Sequence, residues 1–146
     1  MITLADWKDR SKQDILKEFT EDPYNESYNV KKEFPDYDRI NILVAYYSYE
    51  NYSGNAFVLY ELDNKLFEVN GSHCSCNQLE GQWSPEETTI EAVQHRIDNG
   101  LLGVDEEWNP DTNTYEKVDR FKSQLEKMIH DLKYNKKFDN YINEKA

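Results

Sequence analysis

The chain has 146 residues, 38% hydrophobic and 32% charged, with two cysteines and a formal net charge of -12. That length supports one hydrophobic core without staples, no run approaches the roughly 20 apolar residues of a membrane helix, and Met1 to Arg10 is too charged for a signal-peptide core. Two cysteines one residue apart cannot brace a secreted scaffold, so a single acidic domain in a reducing cytoplasm is expected, away from membranes.

In chain order, Thr3 with Asp6 and Ser11 with Asp14 are capping-box-like pairs, and they predict a helix from about Leu4 to Phe19. Its buried stripe would be Leu4, Trp7, Ile15, Leu16 and Phe19, and Asp22-Pro23 would end it. Ile40 to Tyr49 is β-branched and aromatic and predicts a strand with Ile40, Ile42, Val44 and Tyr46 on one face. Asn51 to Gly54 turns into a second strand, Ala56 to Leu62, and Asp63-Asn64-Lys65 into a third, Leu66 to Val69. Thr88 with Glu91 opens a helix that stops at Asn99-Gly100, and the steps Tyr115, Val118, Phe121, Leu125, Met128, Ile129, Leu132 read as a long amphipathic helix. The expected fold is α+β: a three-stranded antiparallel meander with helices on one face, in the order α-β-β-β-α-α.

Between the third strand and the Thr88 helix, residues Gly71 to Glu87 lack periodicity and concentrate reactive residue types, as functional loops often do. The blocks Val69-Asn-Gly-Ser-His-Cys-Ser-Cys76, Leu79-Glu-Gly-Gln-Trp83 and Pro85-Glu-Glu-Thr88 resemble a group of small, mostly uncharacterised proteins of bacteriophages and mobile elements. The resemblance spans roughly Tyr46 to Arg96 and departs at Asn77-Gln78, where such proteins more often carry Tyr-Gly. It implies a phage-type origin but no established activity.

Three readings of the loop stay open. His73, Cys74 and Cys76, with His95, are a possible zinc set, although Cys-x-Cys is a poor spacing and no second pair completes it. Cys74 as nucleophile, with His73 or His95 as base and Glu80 as orienting acid, would make the protein a hydrolase or transferase. In the third reading the cysteines pack as small hydrophobes and the histidines bond locally, with no metal and no cofactor.

Charge favours a basic protein partner over nucleic acid or an anionic membrane, the alternative being that acidity only keeps the protein soluble. Residues 40–110 carry twelve acids against two bases, a field that repels nucleic acid and attracts basic proteins. The expected contact residues are Tyr47, Tyr49, Glu50, Tyr52, Glu61, Glu86, Glu87, Glu106, Glu107 and Trp108, since Tyr and Trp anchor interfaces and carboxylates steer encounter. The leading expectation is a non-enzymatic inhibitor of a host defence or nucleic-acid-handling protein whose carboxylates stand in for phosphates. The alternatives are the Cys74-dependent enzyme and an immunity protein that neutralises a basic toxin.

Overall fold

The computed structural model describes residues 1–23, 29–48, 53–74, 78–102, 104–119 and 122–134. Its elements are strand β1 (Ile2–Ala5), helices α1 (Lys12–Lys17) and α2 (Val30–Glu33), strands β2 (Asn41–Tyr47), β3 (Ser53–Leu62), β4 (Lys65–Cys74) and β5 (Glu86–Thr88), helix α3 (Ile90–Asp98), strands β6 (Val104–Asn109) and β7 (Thr114–Asp119), and helix α4 (Lys122–Tyr134). Strands β1 to β5 form one mixed sheet in that spatial order, and β6 with β7 forms a separate two-stranded sheet. The chain divides into two compact units, Met1–Glu87 and Thr88–Ala146. Among the described residues no helix is long and apolar enough to cross a membrane.

The expected three-stranded meander is therefore replaced by a five-stranded mixed sheet and a hairpin, and the first departure is at the N-terminus. Ile2–Ala5 is not the start of a helix but an edge strand, parallel to β2, with Ile2 opposite Val44 and Ala5 opposite Tyr47. Left-handed φ angles at Ala5 (55°) and Asp9 (65°) break the path after it. Thr3, one of the two apparent caps, sits in the strand and its Oγ1 accepts from Asp9 N at 2.9 Å. The true cap is Ser11, whose side chain accepts from Asp14 N at 3.1 Å and opens α1. Leu4, Trp7, Ile15, Leu16 and Phe19 are all buried as expected. The stripe was real, but strand, turn and helix share it.

The second departure lies inside β2. The pairing with β3 shifts between Ile42 and Val44, which leaves Leu43 as an extra residue in a bulge. Because strand side chains alternate, one extra residue reverses the phase. Ile40 and Ile42 share the core face with Ala45, while Val44 and Tyr46 turn to the opposite face and not to the same one as Ile42. Tyr46 there stacks on its partner Phe57 with ring centroids 5.6 Å apart.

Strands β3 and β4 make a ten-residue ladder from Ser53–Cys74 to Leu62–Lys65. Asp63 and Asn64 join them, both at positive φ (51° and 64°), the geometry a two-residue hairpin turn requires. The core face carries Ala56, Val58, Tyr60 and Val69, covered by Ile15 and Leu16 of α1 and Val30 of α2. The other face is buried too, at Val44, Phe57, Leu59, Leu66 and Glu68. Each of these large apolar side chains contributes roughly 1.5–3 kcal/mol by leaving water.

The last departure is in the second unit. Glu106, Glu107 and Trp108, expected in a loop, and Tyr115 and Val118, expected on the final helix, form the β6–β7 hairpin, with Trp108 opposite Tyr115. Asn109 closes its turn: Oδ1 accepts from Asp111 N at 2.9 Å and the carbonyl from Asn113 N at 2.8 Å. A three-residue step between Tyr115 and Val118 fits a helix, yet the Asn109-Pro110-Asp111 turn commits the chain to pairing first. Helix α4 starts only at Lys122 and buries Leu125 and Ile129. Helix α3 is capped by Thr89, one residue after the expected Thr88, which ends β5 instead. Replacing Ser11 by alanine removes the only described side-chain cap of α1 and should cost about 1 kcal/mol in urea denaturation; Thr3→Ala, which touches no helix, should leave α1 intact by circular dichroism.

Candidate functional site

Strand β4 runs through Cys74, so His73 and Cys74, expected in the loop, lie on a strand and project to opposite faces. His73 is 4% exposed and its ring stacks on Tyr47 at 4.1 Å and 7°. Tyr47 in turn packs on Trp7 at 5.4 Å. Nε2 of His73 lies 2.6 Å from the Ser48 carbonyl, which only accepts, so this nitrogen carries a proton. Nδ1 lies 3.1 Å from the Tyr47 hydroxyl, itself 3.1 Å from Gln78 Oε1. With both ring nitrogens engaged, His73 acts as a clamp between β2, β4 and the segment that follows.

Gly54 makes the clamp possible. It pairs with His73, and a Cβ there would fall 1.8 Å from the Ser48 oxygen and 2.9 Å from His73 Nε2. Ser48 is held in turn by Asn55, which donates its N–H to Ser48 Oγ at 3.1 Å and receives the Ser48 N–H at its carbonyl at 2.8 Å. Beyond β4, Gln82 pairs with the Ser72 backbone as a strand would: Oε1 accepts from Ser72 N at 2.9 Å and Nε2 donates to Ser72 O at 2.7 Å. Leu79 is fully buried and sits so near Gly71 that a Cβ there would lie 3.0 Å from Leu79 Cδ2. Glycine at 71 and 54 thus serves close approach, and neither needs a positive φ.

This arrangement leaves a concavity of about 480 Å³ lined by Ser72, His73, Cys74, Gln78, Glu80 and Gln82. Of the residues singled out for chemistry, His73, Cys74 and Glu80 border this concavity, His73 and Cys74 from opposite faces of β4. Cys76 lies outside the described residues, and His95 is exposed on α3 in the second unit, where Asn99 Nδ2 approaches its ring at 3.3 Å. Among the described residues no group of three His, Cys, Asp or Glu side chains is disposed to hold a metal ion. Gln78 and Gln82 were missed from sequence, because a glutamine that imitates backbone has no local signature.

The expected contact residues fare differently. Tyr49, Glu50 and Tyr52 lie outside the described residues. Tyr47 is committed to the clamp, Glu61 is half-buried, and Glu86 and Glu87 are exposed on β5. Trp108 is 46% exposed and meets Tyr115, 69% exposed, edge to face at 5.1 Å. Glu106 and Glu107 precede Trp108 on β6. Tyr115, exposed beside Trp108, was not among the expected contact residues, since its helical spacing marked it as core.

Comparison with protein families, curated proteins and solved structures gives no match. The site must speak for itself. Gly54→Ala should be costly, about 3 kcal/mol in denaturant titration, because the new methyl overlaps backbone and cannot be accommodated by a rotamer. Gly81→Ala, at φ 74° with nothing within 4 Å of the added carbon, should cost only the left-handed strain of about 1 kcal/mol.

Proposed function

We propose that the protein is an acidic binding protein of the phage or mobile-element kind, which occupies a basic surface on a host defence or nucleic-acid-handling protein. The observation that carries this reading is the exposed Trp108–Tyr115 pair on the β6–β7 hairpin, within a segment, Val104–Asp119, that holds six acids against one base. Large aromatic side chains left in water forgo most of their burial energy, and when a protein partner covers them they are the commonest anchors of an interface. Carboxylates around such an anchor contribute little affinity in water, but they steer a basic partner and reject acidic ones.

A basic surface shaped for phosphates is the complementary target. The carboxylates of the hairpin would replace the phosphate charges, while the aromatic pair supplies contact area that a nucleic acid backbone lacks. Exposed Glu86 and Glu87 on β5 add to the acidic field of the first unit. Two measurements test the reading on the complex recovered from bacterial lysate. Association should slow steeply between low and high salt, as exposed charges are screened over about 8–10 Å, and a complex indifferent to salt would refute charge-led binding. Trp108→Ala should weaken the complex by about 30-fold or more, the loss expected of a hot spot worth about 2 kcal/mol, while costing the free protein no more than about 1 kcal/mol of stability, the worth of one cross-strand aromatic pair.

A further inference from the structure

Trp108 and Tyr115 pair across the β6–β7 hairpin with ring planes 68° and centroids 5.1 Å apart. An edge-to-face pair spends only one ring face on its partner, and the other faces stand open, which is why these side chains keep 46% and 69% of their surface in water. Among the described residues no hydrogen bond, ion pair or cation engages either ring. Elsewhere the chain fills such a face itself: Lys12 Nζ lies 4.2 Å and Lys31 Nζ 5.3 Å from the Tyr37 ring centroid. At Trp108 an indole, the strongest of the aromatic receptors for a cation, has none among the described residues.

The acids beside the pair are not neutralised from within. Glu116, exposed and next to Tyr115, accepts from Asn109 Nδ2 at 3.1 Å and from Thr112 Oγ1 at 3.5 Å, neutral donors that position the carboxylate and leave its charge in place. Asp111, exposed in the turn, is held through its backbone N–H. Neither carboxylate forms an ion pair with a described residue. Strand alternation sends Glu116 to the face opposite Tyr115, so these acids set the local potential and do not themselves fill the ring faces.

We propose that the open face of Trp108 receives an arginine side chain of the basic partner, a refinement that rests on the reading of the protein as an acidic binding protein. An apolar anchor laid on this pair would strip water from nearby carboxylates and give them nothing in return, whereas a cation brings the compensating charge with it. Arginine suits the face better than lysine. Its guanidinium is flat and weakly hydrated, so it stacks on an indole while its N–H fork stays at the periphery for carboxylates or water; an ammonium is a compact, strongly hydrated point charge. A surface built to hold phosphates is rich in the same guanidinium groups.

The test uses the whole chain, ¹⁵N-labelled, and two synthetic probes of equal charge, nona-arginine and nona-lysine, titrated at low salt and followed by calorimetry and by the tryptophan indole N–H resonances. Nona-arginine should move the Trp108 signal saturably and bind about 3- to 10-fold more tightly than nona-lysine, the margin of a partly desolvated cation–π contact. Trp108→Leu keeps the net charge and an apolar side chain but has no ring face, so the two probes should bind it equally. Trp108→Phe, which keeps a weaker face and the cross-strand pair, should restore part of the difference and separates loss of the face from loss of the hairpin. Equal binding of both probes by the unaltered protein, or a preference that survives in Trp108→Leu, would overturn the arginine receptor and leave the charge-led reading standing. Binding of neither probe, even at low salt, would remove that reading as well.

Discussion

A two-residue turn governs the larger sheet. Asp63 and Asn64 both take left-handed φ angles, and that geometry sets which residue of β3 faces which of β4 over ten pairs. A slip of one residue would send Val58, Tyr60 and Val69 to the wrong face and remove Gly54 from opposite His73. Everything at the far end of the ladder depends on this register. The Ser48 carbonyl reaches His73 only because a residue without a side chain lies between them. A bulge at Leu43 then adapts β2 to the same ladder, so that Ala45 lies in the core while Ile40 and Ile42 stay there.

The aromatic residues divide into two populations with different physical roles. Trp7, Phe19, Phe34, Tyr60 and Trp83 interlock between the sheet and the N-terminal helices, where each contact adds orientation as well as area. Trp108 and Tyr115 do the opposite and hold their rings in solvent on a two-stranded hairpin. A hairpin of two strands has little core of its own to reward. Aromatic pairing across it, with Trp108 opposite Tyr115, stabilises the pair locally and at the same time displays it.

Acidity in the sequence and acidity at the surface coincide only in part. The described acids of residues 40–110 are spread over strands, turns and a helix, and Glu68 is buried, accepting from Asn70 Nδ2 at 2.8 Å. A charge count therefore overstates what a partner would see. What it does establish is the sign of the long-range field, which acts on association before any contact forms.

From sequence alone, the strands β2 to β4, the turn at Asp63-Asn64, the α3 helix and the burial of Leu4, Trp7, Ile15, Leu16 and Phe19 were legible, because each is encoded in a local pattern of side-chain types. Even there the pattern showed burial more surely than conformation: Leu4 is inside as a strand residue, though its spacing from Trp7 fits a helix. Only the tertiary structure decided the parallel pairing of β1 with β2, the Leu43 bulge and the β6–β7 hairpin, since each depends on hydrogen bonds to residues distant in the chain or on a turn overruling periodicity. The same holds for the clamp around His73. A histidine beside two cysteines suggests a ligand or a base when read in line, but its strand partner is Gly54 and its ring lies on Tyr47 from β2, and their geometry occupies its nitrogens or clears the way for the group that does. Residue types announce what chemistry a chain can do; the space around each group decides which part of it remains available.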